Sequence, residues 1–247
     1  MFRLVMAPLL AALLLVGAPA RAQFGTEKSA SKAGFAFPAT GPVKILVFRP
    51  DVQVGSQSAG GMNEPNADWT AQARSEIGRA LEKAQGQRSN DLVVMPELEG
   101  EQGALLADYR ALFRAVVAAV VTHKLFPGNR LPTKKQDFNW TLGEGASQLA
   151  KIGGGDYGLF LYTYDSYGSA GRKAAQIMGA MFGVGISSGV HIGYAGLVDL
   201  RTGELVWINA DVKMGGDVRD AEGAEKRVAQ LLEEFPTRAG AAVVAAK

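Results

Sequence analysis

The chain has 247 residues, 26 Lys or Arg against 24 Asp or Glu, and no cysteine. That length supports a sizeable core in one domain or two small ones. The missing cysteine excludes disulfides, thiolate-bound metal and lipidation at a cysteine.

Met1 to Ala22 reads as a secretory signal. Arg3 gives the positive start, Leu4 to Val16 the apolar core, and Ala20-Arg21-Ala22 the small-x-small cleavage site. The apolar run is too short for the roughly 20 residues of a membrane span. The protein is therefore expected in the periplasm, beginning at Gln23 and without a stable span once the signal is removed. Losing Arg3 and Arg21 balances basic and acidic residues in the mature chain. With no basic stripe interleaved with aromatics, no nucleic-acid partner is indicated.

Residues 23–41 are rich in Gly, Ser, Ala and Lys and read as a flexible leader. An α/β domain is expected over 42–236, followed by a loose tail at 237–247. Val43 to Phe48 is a β-branched run closed by Arg49-Pro50 and reads as a strand. Val52 to Pro65 reads as a loop. Asp68 is placed to cap a helix running to Arg88, with Trp69, Ala73, Ile77, Ala80, Leu81 and Ala84 on one face. Asp91 to Met95 is a short strand stopped by Pro96. A second helix is expected over Ala104 to Lys124.

Thr141 and Glu144 have the spacing of a capping box for a third helix ending near Ile152. Tyr157 to Tyr164 reads as a strand and Ser169 to Phe182 as a helix. Val190 to Leu200 and Leu205 to Asp211 form a β-hairpin around Arg201-Thr202-Gly203-Glu204. Strand alternation predicts that Trp207 shares a face with Leu205. A last helix, Ala221 to Phe235, is stopped by Pro236. The order predicts an α/β fold, one mixed sheet with helices packed on it and a C-terminal hairpin covered by a helix.

Two stretches carry a family resemblance. Ala146 to Ile152, the glycines 153–155 and Asp156-Tyr157-Gly158-Leu159-Phe160-Leu161 form one. Gly196 to Trp207, with Val198-Asp199 and Thr202-Gly203 before Trp207, forms the other. Together they resemble the envelope α/β domains of the curli-secretion lipoproteins and the amino-terminal domain of TolB. The resemblance implies a fold; it transfers no catalytic residue, and the lipid-bearing cysteine of the lipoproteins is absent.

Candidate chemistry is sparse. Gly185-Ile186-Ser187-Ser188-Gly189 matches a nucleophile elbow, but that motif needs a strand before it and a helix after it, and the expected order here is reversed. His123 and His191 are the only histidines, too few for an imidazole metal site without a carboxylate cluster. Glu97, Glu99 and Glu101 alternate after Pro96 and read as a solvated edge. The glycine clusters lack a phosphate-loop Lys-Ser/Thr. No catalytic, cofactor or metal residue is assigned.

Ala174 to Val198 holds no side chain charged at neutral pH. It reads as a buried helix and central strand, as an association surface, or as a membrane-inserting segment. Gly179 and Gly183 lie one helical turn apart. With Met181 and Phe182 they form the candidate interaction face, because glycine disfavours a helix interior unless another backbone approaches it. The expected function is non-enzymatic: an exported interaction or assembly factor that binds an envelope protein or itself. A small-molecule or peptidoglycan-binding module is the alternative, and a hydrolase using Ser187 the remote one. N-terminal sequencing of periplasmic protein is expected to read from Gln23; an intact Met1 on a membrane-bound product would contradict the signal assignment.

Overall fold

Runs of β-branched and aromatic residues, and the prolines and glycines that stop them, set the architecture. The computed structural model describes residues 27–85, 91–125, 127–134, 137–187 and 189–239. The expected signal segment and the tail past 239 lie outside these residues. In chain order the elements are β1 (Glu27–Ser31), β2 (Lys44–Val47), β3 (Asp51–Gln57), β4 (Asn63–Pro65), α1 (Ala67–Gln85), β5 (Asp91–Val94) and α2 (Gly100–Val120). There follow β6 (Trp140–Thr141), α3 (Ser147–Gly153), β7 (Tyr157–Gly168), α4 (Ala170–Met181), β8 (Gly189–Asp199), β9 (Glu204–Asp211) and α5 (Ala221–Leu231).

The strands form one mixed sheet with the order β1-β9-β8-β7-β2-β5. The fold is therefore α/β, with a C-terminal hairpin and a covering helix. β7 is its spine. Along one edge it pairs in parallel with β2 at Tyr157 to Leu159 and with β3 at Tyr162 to Gly168. Along the other it pairs antiparallel with β8 over nearly its whole length. β2 and β3 are thus one strand position broken at Phe48-Arg49-Pro50, because proline fixes φ and offers no N–H to a ladder.

Helices cover both faces. Ala73, Ile77 and Leu81 of α1 join Val228 and Leu231 of α5 and Trp207 in one buried cluster. Leu106, Phe113, Val117 and Val120 of α2 join Leu149 of α3, Phe160 and Ile208 in the other. α2 opens into a wider helical turn at Val121–Leu125, short of the expected Lys124 end of a regular helix.

Several local expectations are corrected. Part of the leader is structured: β1 pairs antiparallel with β9 from Glu27↔Asp211 to Ser31↔Trp207. Phe37 is fully buried and bridges to Arg238, at the start of the expected loose tail. The composition of this segment concealed two anchoring phenylalanines, Phe35 and Phe37, that pack edge-on against Tyr157. Val52 to Pro65 is not a loop, since β3 and β4 form a hairpin in which Val52 and Val54 are buried. Asn66, not Asp68, caps α1, its Oδ1 accepting the Trp69 N–H at 2.9 Å. The capping box does not form. Thr141 lies on β6, where its hydroxyl accepts the Gly143 N–H and donates to the Gly203 carbonyl.

Trp207 is buried but does not share a face with Leu205. The β8–β9 ladder slips between Leu197↔Trp207 and Val198↔Leu205, leaving Val206 as an extra residue. A bulge of one residue reverses the alternation on one side of it. Trp207 therefore packs against Phe235 at 5.1 Å, while Leu205 enters the opposite cluster. Trp207→Ala is expected to cost about 3–5 kcal/mol, measured by chemical denaturation; an unchanged midpoint would contradict this packing.

Candidate functional site

β7 and β8 run on together past the break between β2 and β3, and two features lie at that end of the sheet. One is a buried polar cluster. The other is the α4 arm that joins the two strands.

The cluster begins with alternation on β7. Thr163 and Asp165 are two apart and point to the same face, which α5 covers. Arg227 of α5 enters that face, and Arg227 and Asp165 are both 0% exposed. The guanidinium is bidentate, Nη1 to Asp165 Oδ2 at 2.7 Å and Nη2 to Oδ1 at 2.8 Å. Thr163 Oγ1 donates to Asp165 Oδ2 at 2.8 Å and accepts from Arg227 Nη1. The remaining side of the carboxylate faces His191 on β8, whose Nδ1 lies 2.7 Å from Oδ1. A carboxylate can only accept, so this contact assigns the proton to Nδ1. Burial pushes the Asp165 carboxyl up, but the hydrogen bonds from His191, Arg227 and Thr163 and the Arg227 charge outweigh it and hold its pKa below the usual value.

Around this lies an aromatic surround. The Tyr167 ring packs on His191 at 5.0 Å, and its hydroxyl accepts the Val218 N–H. Burial, then the Asp165 charge, raises the Tyr167 pKa, keeping the phenol neutral. Arg219 lies between the Trp69 and Tyr167 rings, 4.3 and 4.0 Å from their centroids. Asp217 fixes it there through two hydrogen bonds, which chiefly hold the Asp217 pKa at about 2.

The Asp165–His191 pair has the form of an oriented base, yet Ser187 does not complete it. The Ser187 hydroxyl donates to the Gly189 carbonyl at 3.2 Å, and its own carbonyl accepts from Arg172 Nε at 2.8 Å. Ser188 lies outside the described residues. The expected strand–turn–helix reversal holds, with α4 before the motif and β8 after it. His123 is remote, with Nδ1 on the Asn129 carbonyl. Glu97 pairs with Arg49, and Glu99 and Glu101 sit at the start of α2. Among the described residues no three His, Cys, Asp or Glu side chains converge as metal ligands.

The arm departs from one of the three expectations for Ala174 to Val198. Its strand half is central, but its helix half is not buried. Ser169 caps α4 by accepting the Arg172 N–H. Ile177, Met178, Met181 and Phe182 then form a stripe at i, i+1, i+4 and i+5. They stand in water, with Phe182 77%, Met181 73% and Ile177 65% exposed, and Val184 extends the patch.

Gly179 leaves the proposed face, whereas Gly183 stays exposed at its end. Gly179 is buried, and a Cβ there would lie 2.9 Å from both Ile186 Cδ1 and the Val184 carbonyl. The close approach expected of another backbone is made by this chain's own return segment, through Val184 N–H to Gly179 O at 2.8 Å. Gly183 takes φ 72° to turn that segment back. Sequence periodicity could have found Ile177 and Met178, which share the helical stripe. Asp165 and Arg227 are 62 residues apart and carry no local signal.

Asp165→Asn is expected to destabilise the fold by about 3–5 kcal/mol, because it leaves Arg227 buried without its counter-charge. The double variant Asp165→Leu with Arg227→Met is expected to lose less than either single change, read from denaturation midpoints at neutral pH. A double variant worse than both would mean that the pair itself, not the stranded charge, supplies the stability.

No family profile matches the sequence, and no curated protein is detectably similar to it. Among solved structures, the chain is similar to the PelC dodecamer from Paraburkholderia phytofirmans, at 14% identity and TM-score 0.39, covering 87% of this chain and 99% of that one. A single-substitution form of the PelC dodecamer from the same organism gives 15% identity and TM-score 0.39 over the same shares. Lipoprotein GNA1162 from Neisseria meningitidis gives 16% identity and TM-score 0.31, covering 78% of this chain and 99% of that one. Likenesses this distant leave the functional argument to the residues of this chain.

Proposed function

We propose that the protein is a non-enzymatic, exported component of the cell envelope that works by protein–protein contact, with the α4 arm as its contact surface and a second copy of the chain as the first partner to test. The observation that carries this reading is the stripe of Ile177, Met178, Met181 and Phe182 in water. Contiguous exposed apolar residues on a folded domain mark an interface more often than a neutral surface. The arm is preformed for that role. Gly179 packs on Ile186, and Arg172 straps the base through the carbonyls of Ser187 and Ala59. A partner would therefore not have to order it, which lowers the cost of association.

Charge supports the same reading. From Ser166 to Val198 the chain has no acidic residue, and its cations are Arg172 and Lys173. Apolar contact at the tip and basic side chains at the base suit a partner with an apolar socket and an acidic rim. The signal-like Met1 to Ala22 supports export. Among the described residues no helix is long and apolar enough to cross a membrane.

The test is light scattering of the mature protein across concentration, beside thermal melting. Met181→Ser with Phe182→Ser is expected to reduce the assembled mass or abolish partner cross-linking. Stability is expected to change by no more than about 0.5 kcal/mol, as for surface substitutions. A lower melting point with unchanged mass would mean that the stripe serves internal packing, and would sink the proposal.

A further inference from the structure

Away from the arm, a cleft at the carboxyl ends of β2 and β5 is lined by arginines from the β2 exit and from α1, with Arg110 of α2 close behind Arg49. β2 and β5 are parallel and in register from Lys44↔Asp91 to Val47↔Val94. Their exits, Arg49 and Glu97, emerge side by side and pair with each other. α1 lies on one face of the sheet and α2 on the other, so their side chains reach this end from opposite directions. In open α/β sheets the crevice outside the carboxyl ends of parallel strands is where ligands bind.

Here that crevice is a cleft of about 420 Å³, lined by Arg49, Arg74, Ser75, Gly78, Arg79 and Met95 among others. The cations in and around it are unevenly matched. Arg49 has Glu97, Arg79 has Glu76, and Arg114 has Asp51 at 3.1 Å. Arg74 and Arg110 have no carboxylate partner among the described residues. Arg74 Nη2 reaches the Val52 carbonyl at 3.5 Å, and Arg110 Nη2 donates to the Arg49 carbonyl at 2.6 Å. Arg110 does not line the cleft; it adds positive charge behind Arg49. Of the lining carboxylates, Glu97 is held by Arg49, and Glu82 is exposed to water.

A second observation is independent of charge. Gly78 sits in the interior of α1, where glycine is disfavoured, and a Cβ added there would meet nothing within 4 Å. No neighbouring side chain requires the glycine. It lines the cleft, and the space beside it is open.

We infer that this cleft binds a phosphate-bearing ligand, with Arg74 as its principal contact and Arg49 and Arg79 beside it. Guanidinium forks from the β2 exit and from α1 can reach different oxygens of one tetrahedral phosphate, which offers more acceptors than a planar carboxylate. The cleft, at about 420 Å³, has room for a phosphate ester as well as a bare ion. The crowding is also visible in the protonation equilibria. Burial and then Arg74 lower the Arg49 pKa. Burial lowers that of Arg110, with Asp51 opposing and Arg49 and Arg74 adding to the shift. An anion in the cleft relieves this repulsion.

The test is calorimetric titration of the mature protein with glycerol 3-phosphate, with acetate at matched ionic strength, and with phosphatidylglycerol vesicles. Saturable binding of the phosphate ester, at least tenfold weaker in Arg74→Gln and in Gly78→Leu, is expected. Gly78→Leu fills the cleft without removing charge, so it keeps the test decisive if Arg74→Gln fails to fold. Vesicle binding with the same dependence on both residues assigns the phosphate to a lipid headgroup, and ester binding alone assigns it to a solute. Acetate binding as strongly as the ester, binding unaffected by either substitution, or no binding of ester and vesicles would overturn the inference.

Discussion

The buried Arg227–Asp165 pair is the constraint on which much of the structure depends. α5 covers one face of the sheet with Val228, Leu231 and Leu232, an apolar contact that by itself leaves its rotation and register loose. A bidentate ion pair at 2.7 and 2.8 Å removes that freedom, because a guanidinium fork accepts a carboxylate in few orientations. Both charges are fully buried, so a slipped register would strand each of them in the interior. The same carboxylate orients His191, and so also fixes β8 at the root of the arm. One interaction thereby ties the covering helix, the spine strand and the base of the candidate interface together.

The architecture was largely legible in the sequence because it rests on local signals. The β-branched run before Pro50, the glycines after Ile152 and the Gly203 turn each specify an element from their own neighbourhood. The errors share a physical origin. β1 and β3 have modest strand propensity and are strands because long-range partners, β9 and β7, complete their ladders. The Val206 bulge depends on how β9 meets β8, which alternation within β9 cannot reveal.

The candidate site was legible only in outline. The uncharged run after Lys173 marked the right segment, but whether a stripe of Ile, Met and Phe faces core or water is decided by what the rest of the chain leaves uncovered. Gly179 shows the same ambiguity. Its helical position called for a close neighbour, and the structure supplies that neighbour from Ile186 rather than from another molecule. The arginine cleft was invisible for a simpler reason. Arg49, Arg74 and Arg79 are unremarkable in a balanced sequence until the topology brings the β2 exit and α1 to one end of the sheet.

The β1–β9 pairing has a kinetic consequence. Glu27 meets Asp211 and Ser31 meets Trp207, so the first strand finds its partner only across most of the chain. The entropy of closing so large a loop must be met before the ladder contributes anything in return, and contacts of such long sequence separation form slowly. The amino-terminal edge therefore belongs to the late stage of folding, after β7, β8 and β9 have paired with one another. Until then Phe35 and Phe37, which the finished molecule hides against Tyr157, are exposed on an unpaired segment. The window between synthesis and edge closure is the period in which this chain is most open to chaperones and to aggregation.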